Sequence, residues 1–301
     1  MSAAELSALQ RPNDRLRRRR VVNGATEVLA WLAAAVAVGL LGIVVWSVAK
    51  RGAGELNLDL LTQPVVAFPV PGGPQGGLAN AFVGTLVIVG LATVMALPIG
   101  ILVAIYLGEF APGSIRTSVG LALDVLNGIP AIVIGIFVFG LFVVGHGDSG
   151  LAGSFALAVM MLPLVARASM EVLALVPDTL REASLGLGVP RWRTTLGIVL
   201  PQAIGGIVTG AVLAVARVAG ETAPLLLVSS VGVSSGADWN PTHALQSVPV
   251  AIFELSDQPL ESQHEQAWAA AFVLLMFILV TSLTARWLAN RSRRKLGRAA
   301  A

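Results

Sequence analysis

Long apolar runs separated by short polar segments dominate the chain. Six of them approach or exceed the length of about 20 residues that a helix needs to cross a membrane. Their predicted bounds are Glu27–Ala49, Asn80–Leu107, Val119–Val144, Leu151–Val165, Leu196–Val228 and Gln266–Ala289. The fourth run is short, and an extension through Leu175 stays open. Because the runs lack the alternation of barrel strands, the pattern predicts an all-α integral membrane protein with six transmembrane helices.

Composition and charge fit this prediction and add an orientation. The chain has 301 residues, of which 55% are hydrophobic and 12% charged. Apart from Lys50, Arg51 and Arg217, every Lys and Arg falls in the terminal segments or loops that six spans place on one side or, for Arg286, near the end of the sixth span on that same side. Positively charged short loops stay in the cytoplasm, so we expect both termini to be cytoplasmic.

This topology divides the chain into three parts. They are a basic cytoplasmic segment (residues 1–26), a six-helix permease domain (27–289) and a basic cytoplasmic tail (290–301). An Arg-rich start before an apolar run also fits a secretory signal, but this run exceeds the roughly 7–15 residues of a signal core. An uncleaved signal-anchor is therefore favoured.

Several kinds of chemistry are excluded by what the sequence lacks. With no Cys, there are neither disulfides nor thiolate metal ligands. Neither Lys50 nor Lys295 lies in a Gly-Lys-Ser/Thr ending, so the chain has no P-loop and any ATP-derived energy comes from another polypeptide. His146, His243 and His264 all fall in outer segments, which leaves no histidine base at membrane depth. We expect no catalytic residues and no metal site.

Two outer segments connect the predicted spans. The first, Lys50–Ala79, contains the Pro/Gly-rich turn Pro69–Gly77, which is typical of a flexible connector. The second, Ser229–Glu265, is acidic and carries no Lys or Arg. Within it we predict a short helix at Val248–Ser256, against the membrane, where a partner protein could bind.

A cytoplasmic stretch between the fourth and fifth spans reads REASLGLGVPRWRTTLGIVLP, from Arg181 to Pro201. Helix-forming residues precede a break at Gly186–Pro190, after which a second short amphipathic helix returns to the membrane. Small residues at Ala183 and Ser184 would let another surface approach closely. The pattern is typical of a docking element.

The fifth span carries two charges. A continuous helix would place Arg217 about fifteen residues, or roughly 22 Å, beyond Pro201, with Glu221 one turn further on the same face. A charge at membrane depth costs roughly 2.5–3.5 kcal/mol, so both side chains should face protein or a water-filled path. The pair fits either an anion station or a structural contact between helices. The same span carries Gly205, Gly206 and Gly210, which predict close helix packing within the chain.

The cytoplasmic stretch resembles a known motif. In permease subunits of ATP-binding-cassette importers, an "EAA" loop reads Glu-Ala-Ala-x-x-x-Gly, nine further residues, then Ile-x-Leu-Pro. This chain matches that pattern, with Ser in place of the second Ala, at Glu182, Ala183, Ser184, Gly188, Ile198, Leu200 and Pro201. The resemblance implies a coupling loop, here residues 167–201, whose helices insert into a groove of an ATPase subunit.

Three further segments resemble phosphate-importer permeases of the PstA type. One begins at Arg217 and continues through the run Gly220–Leu225, which reads GETAPL. Another is Asn127–Phe137, in which Ala131 replaces the usual Ser, and the third is Tyr106–Phe110. These similarities imply type I ABC importer permease architecture in the cytoplasmic membrane of a prokaryote.

The resemblance also implies partners and roles. The partners are a second permease subunit of the PstC type, an ATPase dimer of the PstB type that binds ATP and Mg, and a phosphate-binding protein of the PstS type. In the substrate pathway, Arg217 would contact the anion, Glu221 would orient it, and Thr222 would donate a hydrogen bond. Another oxyanion such as sulfate or molybdate, a self-contained ion-coupled transporter or channel, and a structural or sensory subunit stay open as alternatives.

Overall fold

The computed structural model describes residues 14–64, 76–229 and 237–299, and regular structure in this part of the chain is helical. The turn Pro69–Gly77 lies, apart from its last two residues, outside the described residues. In chain order the helices are α1 (Asp14–Gly52), α2 (Leu58–Thr62), α3 (Ala79–Ile105), α4 (Gly113–Gly128), α5 (Ala131–Val138), α6 (Gly150–Ala174), α7 (Asp178–Gly186), α8 (Arg191–Thr194), α9 (Leu200–Val218), α10 (Ala223–Val228), α11 (Val248–Ser256) and α12 (Glu261–Ala299).

Three wider π-helical turns of five residues each continue or join these helices. Such turns follow α3 at Tyr106–Phe110 and α5 at Phe139–Val143, and one at Thr195–Val199 joins α8 to α9. Single π turns inside α-helices often occur at functional sites. Two of the three lie in segments that the sequence singled out, namely Tyr106–Phe110 and the coupling loop.

Two compact units divide the chain, one up to Lys50 and one from Arg51 onward. In the first unit, α1 begins at Asp14 rather than at the predicted Glu27, so the basic stretch of residues 15–20 belongs to the same helix as the first apolar run. The described side chains of α1 are almost all exposed, including large apolar ones such as Trp31 and Trp46. Such a surface suits lipid or an apolar partner.

The second unit is built around α6. Buried side chains of α3, such as Ile88 and Ala96, pack against Leu157, Met161 and Val165 of α6. The two helices are so close that a Cβ on Gly100 of α3 would lie 3.0 Å from the side chain of Val165. Van der Waals packing through small residues holds membrane helices together, since lipid provides no hydrophobic drive for their association.

Helix α9 packs on another face of α6, as the glycines of the fifth span predict. A Cβ on Gly206 would lie 2.5 Å from Val172, and one on Gly210 would lie 2.7 Å from the Cβ of Ala168. Only glycine allows this approach. The contact is within the chain, which confirms the predicted packing.

The predicted third span, Val119–Val144, is not one helix. Helix α4 begins at Gly113 and is followed by two non-helical residues, Ile129 and Pro130. Helix α5 then runs at 95° to α4. Proline lacks an N–H and disfavours the helical conformation of the residue before it, so Ile129 is extended. The prediction of a continuous span was wrong here.

The predicted fifth span, Leu196–Val228, is also interrupted. Helix α9 ends at Val218, and α10 begins at Ala223. A helix continued through this point would place the ring of Pro224 against the carbonyl of Gly220, four residues earlier. The charged motif therefore lies at a break and not in mid-helix.

The remaining predicted elements are present. The fourth span extends to Ala174, close to the open limit of Leu175, and the outer helix Val248–Ser256 begins behind a Ser247 cap. Within the described residues, five helices are long and apolar enough to cross a membrane, or six if the bent pair α4 and α5 counts as one span. This agrees with the predicted all-α membrane fold.

Candidate functional site: a charged cavity and a docking loop

The two helix breaks meet at one cavity of about 240 Å³, called here the Arg217 cavity. A Cβ on Gly135 of α5 would lie 2.8 Å from the Cα of Pro224, so α5 and α10 approach backbone to backbone beside it. Two motifs far apart in sequence thus share one site. The cavity is lined by Leu126, Asn127, Ile129, Pro130, Ala131, Ile134, Met160, Leu164, Arg217, Val218 and Glu221.

The predicted pathway residues occupy different places around this cavity. Arg217, in the last turn of α9, lines it and is exposed, and Glu221 lines it from the break and is half-buried. Thr222, half-buried at the start of α10, is not among the lining residues. Arg217 and Glu221 thus share the cavity wall, and Thr222 lies behind it.

Arg217 and Glu221, which a continuous helix would place close enough to pair, form no ion pair with each other in the described structure. That expectation assumed a continuous helix, which places residues four apart on one face. Because α9 ends at Val218, Glu221 lies in the turn that follows the helix. The backbone N–H of Glu221 donates to the carbonyl of Val218 at 3.1 Å.

A second pair of charges connects α4 to α6 near the cavity. Arg167 of α6 forms an ion pair with Asp124 of α4 and donates to the carbonyl of Gly120 at 2.5 Å. Asp124 lies one turn before Asn127, and Arg167 lies one turn after Leu164, and both of those neighbours line the cavity. Charged side chains thus occur on three of the helices that surround this region, α4, α6 and α9.

The coupling loop has the predicted helix, turn and helix. After α6 ends at Ala174, α7 runs from Asp178 to Gly186, and helical structure resumes at Arg191. Gly188 has φ +78°, in the left-handed region that favours glycine. Its N–H donates to the carbonyl of Leu185 at 2.9 Å, which ends α7 and reverses the chain.

Ser184 faces inward, not toward a partner. Its side chain is buried, and its hydroxyl lies 2.9 Å from the hydroxyl of Thr194 on α8. The expectation that Ser184 lets another surface approach was wrong, because this small residue lets α8 pack on α7. The hydrogen bond joins the two short helices of the loop.

The outward surface of the loop combines a charge with exposed apolar side chains. Glu182 and Ala183 are exposed, as a docking role requires. Leu187 is 84% exposed and Trp192 is 53% exposed, with the guanidinium of Arg193 stacked 5.0 Å from the Trp192 ring. Adjacent exposed apolar side chains are typical of a surface that binds a protein.

The last three residues of the motif lie where the chain returns to the helix bundle. Ile198 and Leu200 are half-buried, and Leu200 packs against a buried cluster that includes Leu173 and Val199. Pro201 occupies the first turn of α9, directly after the π turn and within a helical stretch that runs from Arg191 to Val218. These residues fix the direction in which α9 leaves the loop.

Sequence reasoning missed the contact that anchors α7. Arg181, next to Glu182, forms a two-point ion pair with Glu109 in the π turn after α3, with Nη2 to Oε1 at 2.8 Å and Nε to Oε2 at 3.2 Å. The hydrogen bond to Glu109 raises the pKa of Arg181, and burial opposes this rise. The sequence feature that could have indicated this contact is Glu109 itself, a single carboxylate at the end of an apolar run.

The chain matches the family described as binding-protein-dependent transport system inner membrane component over residues 96–294. The phosphate transport system permease protein PstA 1 of Mycobacterium tuberculosis is 38% identical over 283 residues, covering 92% of this chain and 91% of the relative. PstA of Pasteurella multocida is 36% identical over 271 residues, covering 89% and 94%.

Solved ABC transporters share the fold at low identity. A bacterial importer of the acidic polysaccharide alginate superposes with a TM-score of 0.63 at 16% identity, covering 91% of this chain and 99% of that one. The inward-facing MetNI methionine transporter gives 0.60 at 17%, covering 71% and 95%. The architecture is therefore that of type I ABC importer permeases, and the chain belongs to the family of binding-protein-dependent transport system inner membrane components.

Proposed function

We propose that this chain is the membrane permease subunit of an ATP-driven phosphate importer, and that it forms half of the translocation pathway. The observation that carries the proposal is the Arg217 cavity, where two helix breaks in the apolar part of the chain meet beside a cation. Interrupted membrane helices are tolerated where the backbone is buried in protein or lines a water-filled cavity, and they recur at transporter binding sites. The names of the PstA relatives support phosphate as the substrate.

In this pathway, Arg217 attracts the anion and Glu221 limits how long it stays. A guanidinium matches the paired oxygens of a phosphate, and its attraction is stronger where the dielectric is low. Glu221 lines the same cavity, so its negative charge weakens the site enough for release. Thr222 donates its hydrogen bond only if the break rearranges during transport.

Energy reaches the pathway through the coupling loop. The chain has no P-loop, so ATP and Mg bind to partner ATPase subunits of the PstB type. Glu182, Ala183 and the exposed Leu187 and Trp192 form the surface that enters the ATPase. A PstC-type permease supplies the other half of the pathway, and a PstS-type protein delivers phosphate from the outer side. Both termini then lie in the cytoplasm.

Two substitutions test the two halves of this proposal in vesicles that hold the four-component complex. We expect Arg217→Ala to lower phosphate uptake by about ten- to a hundredfold, because a hydrogen bond to a charged group contributes about 1.5–3 kcal/mol. Arg217→Lys keeps the charge and serves as the control, with a smaller loss. Glu182→Lys should release the ATPase or abolish its stimulation.

The two variants test the anion station and the docking surface separately. Loss of uptake by Arg217→Ala with the complex intact supports the anion station, and loss of ATPase coupling by Glu182→Lys supports the docking surface. Wild-type uptake in both variants contradicts both assignments. Uptake of sulfate or molybdate in preference to phosphate would retain the architecture and change the substrate.

A further inference from the structure

We propose that Arg181 and Glu109 form a tie that carries movement of the coupling loop to α3. This inference rests on the proposed function, since it requires an ATPase that moves the loop. Arg181 and Glu109 are positioning residues in this scheme: they touch neither the anion nor ATP. What they determine is how closely α3 follows the loop.

The guanidinium of Arg181 joins three elements at once. Besides the two bonds to Glu109, Nη2 donates to the carbonyl of Leu173 at 2.9 Å, and Nη1 donates to the carbonyl of Val176 at 2.7 Å. Those carbonyls belong to the end of α6 and the turn that follows it. One side chain of α7 therefore holds the ends of α3 and α6 together.

The tie is partly buried. Arg181 is 19% exposed and Glu109 is 9% exposed, whereas Asp178, with which Arg181 also forms an ion pair, is 86% exposed. A two-point pair between a planar guanidinium and a carboxylate fixes orientation as well as distance. The exposed contact to Asp178 adds little by comparison.

Few other contacts attach α7 to the described part of the protein. Ser184 is the buried residue of this helix, and its hydroxyl bonds to α8, which is part of the same loop. Leu180 packs against a buried cluster that includes Ala104 of α3 and Leu173 of α6. A force applied to the outward surface of α7 therefore reaches the membrane helices through Arg181, through the packing of Leu180, or along the chain into α6 and α9. Among these routes, the two-point ion pair of Arg181 fixes both distance and orientation relative to the end of α3.

The N-terminal end of α3, opposite Glu109, is also joined to another segment by polar contacts. Asn80 Nδ2 donates to Gln246 Oε1 at 3.1 Å, and Thr85 Oγ1 accepts from the N–H of Val248 at 2.8 Å. A Cβ on Gly84 would lie 2.0 Å from the carbonyl oxygen of Gln246. Residues 79–110 form one uninterrupted helical stretch, so movement at Glu109 reaches the segment that begins α11.

Transport by the full complex in vesicles, with inorganic phosphate as the probe, tests the tie. The measured quantity is the number of ATP molecules hydrolysed per phosphate imported, in Glu109→Gln, Arg181→Met and the double variant. Arg116→Gln is the matched control, since Arg116 lines the same cavity of about 400 Å³ as Arg181 and joins none of the described ion pairs.

We expect each single variant to raise the ATP cost per phosphate about tenfold, within the usual range of coupling between sites. The double variant should match the worse single variant, because both changes remove the same contact. Arg116→Gln should keep the wild-type ratio. The ATPase subunits should co-purify in wild-type amounts throughout.

The double variant separates transmission from folding. It leaves no lone buried charge, so a defect caused only by an unpaired charge would disappear in it. Recovery of the wild-type ratio, additive defects, or loss of the ATPase from the double variant each contradicts the tie. A wild-type complex that imports no phosphate contradicts the proposed function instead, whereas normal import with unchanged ratios in the variants contradicts the tie alone.

Discussion

Ser184 shows how a single hydroxyl determines the shape of the coupling loop. It is buried between α7 and α8, where it meets the hydroxyl of Thr194. The resembling permeases carry Ala at this position, so small size matters more than the hydrogen bond. A larger side chain would push α8 away from α7 and change the surface that carries Leu187 and Trp192.

We therefore expect Ser184→Ala to be mild and Ser184→Leu to be severe. Loss of the hydroxyl should cost about 0.5–1.5 kcal/mol, and overpacking by Leu should cost about 1–3 kcal/mol together with ATPase coupling. Thermal unfolding of the purified complex and ATP-dependent uptake provide the two measurements. Ala183→Leu, an exposed neighbour, is the control for stability. Equal unfolding temperatures for Ser184→Leu and wild type would contradict this account of the loop.

At the residue scale, sequence reasoning located the charged site but not all of its contacts. The motif around Arg217 predicted a cation near the pathway, and the cavity contains it. The sequence could not predict the partner of Arg181, because Glu109 lies 72 positions earlier and only the packing of α3 against α6 brings the two together. The inward direction of Ser184 likewise depends on the turn at Gly188.

At the scale of elements, the contact between α5 and α10 keeps the Arg217 cavity open beside the two breaks. Gly135 allows the backbones to meet at Pro224, and the side chain of Leu227 would lie 3.2 Å from a Cβ at the same position. Both helices follow an interruption, so neither is held by a continuous helix on its N-terminal side. Their mutual packing therefore sets the shape of the site.

Adding one methyl group at Gly135 should disturb this contact. We expect Gly135→Ala to destabilise the protein by about 1–3 kcal/mol and to reduce phosphate uptake, because the obstructing atom is backbone and cannot rotate away. Gly140→Ala is the matched control, since a Cβ there has no atom within 4 Å. Thermal unfolding and uptake should both change for Gly135→Ala alone. Matching results for the two variants would show that the helices can separate without cost.

The apolar runs predicted the helices well and their breaks poorly. Proline explains why, since Pro98 and Pro163 lie inside the continuous helices α3 and α6, whereas Pro130 and Pro224 follow breaks. The same residue type gives either outcome in a membrane, where neighbouring helices and local water can satisfy the freed carbonyls. Which outcome occurs depends on tertiary packing that a single sequence does not display.

At the scale of the whole molecule, the coupling loop, α3 and the Arg217 cavity fit one scheme of ATP-driven import. In this proposed scheme, the exposed loop surface would bind the ATPase, the tie would pass its movement to α3, and the cavity would hold the anion between two broken helices. Alternating access requires two states of these helices that bind the anion differently. The chain supplies the elements, and its partners supply the energy.

The most direct measurement is uptake of radiolabelled phosphate by vesicles that contain the complete complex, with and without ATP, and with and without the ATPase subunits. The account predicts accumulation of phosphate only when both are present, with an excess of sulfate leaving it unchanged. Equal accumulation in the absence of ATP or of the ATPase would contradict the account, because the chain would then transport its substrate without the motor that the coupling loop is proposed to bind.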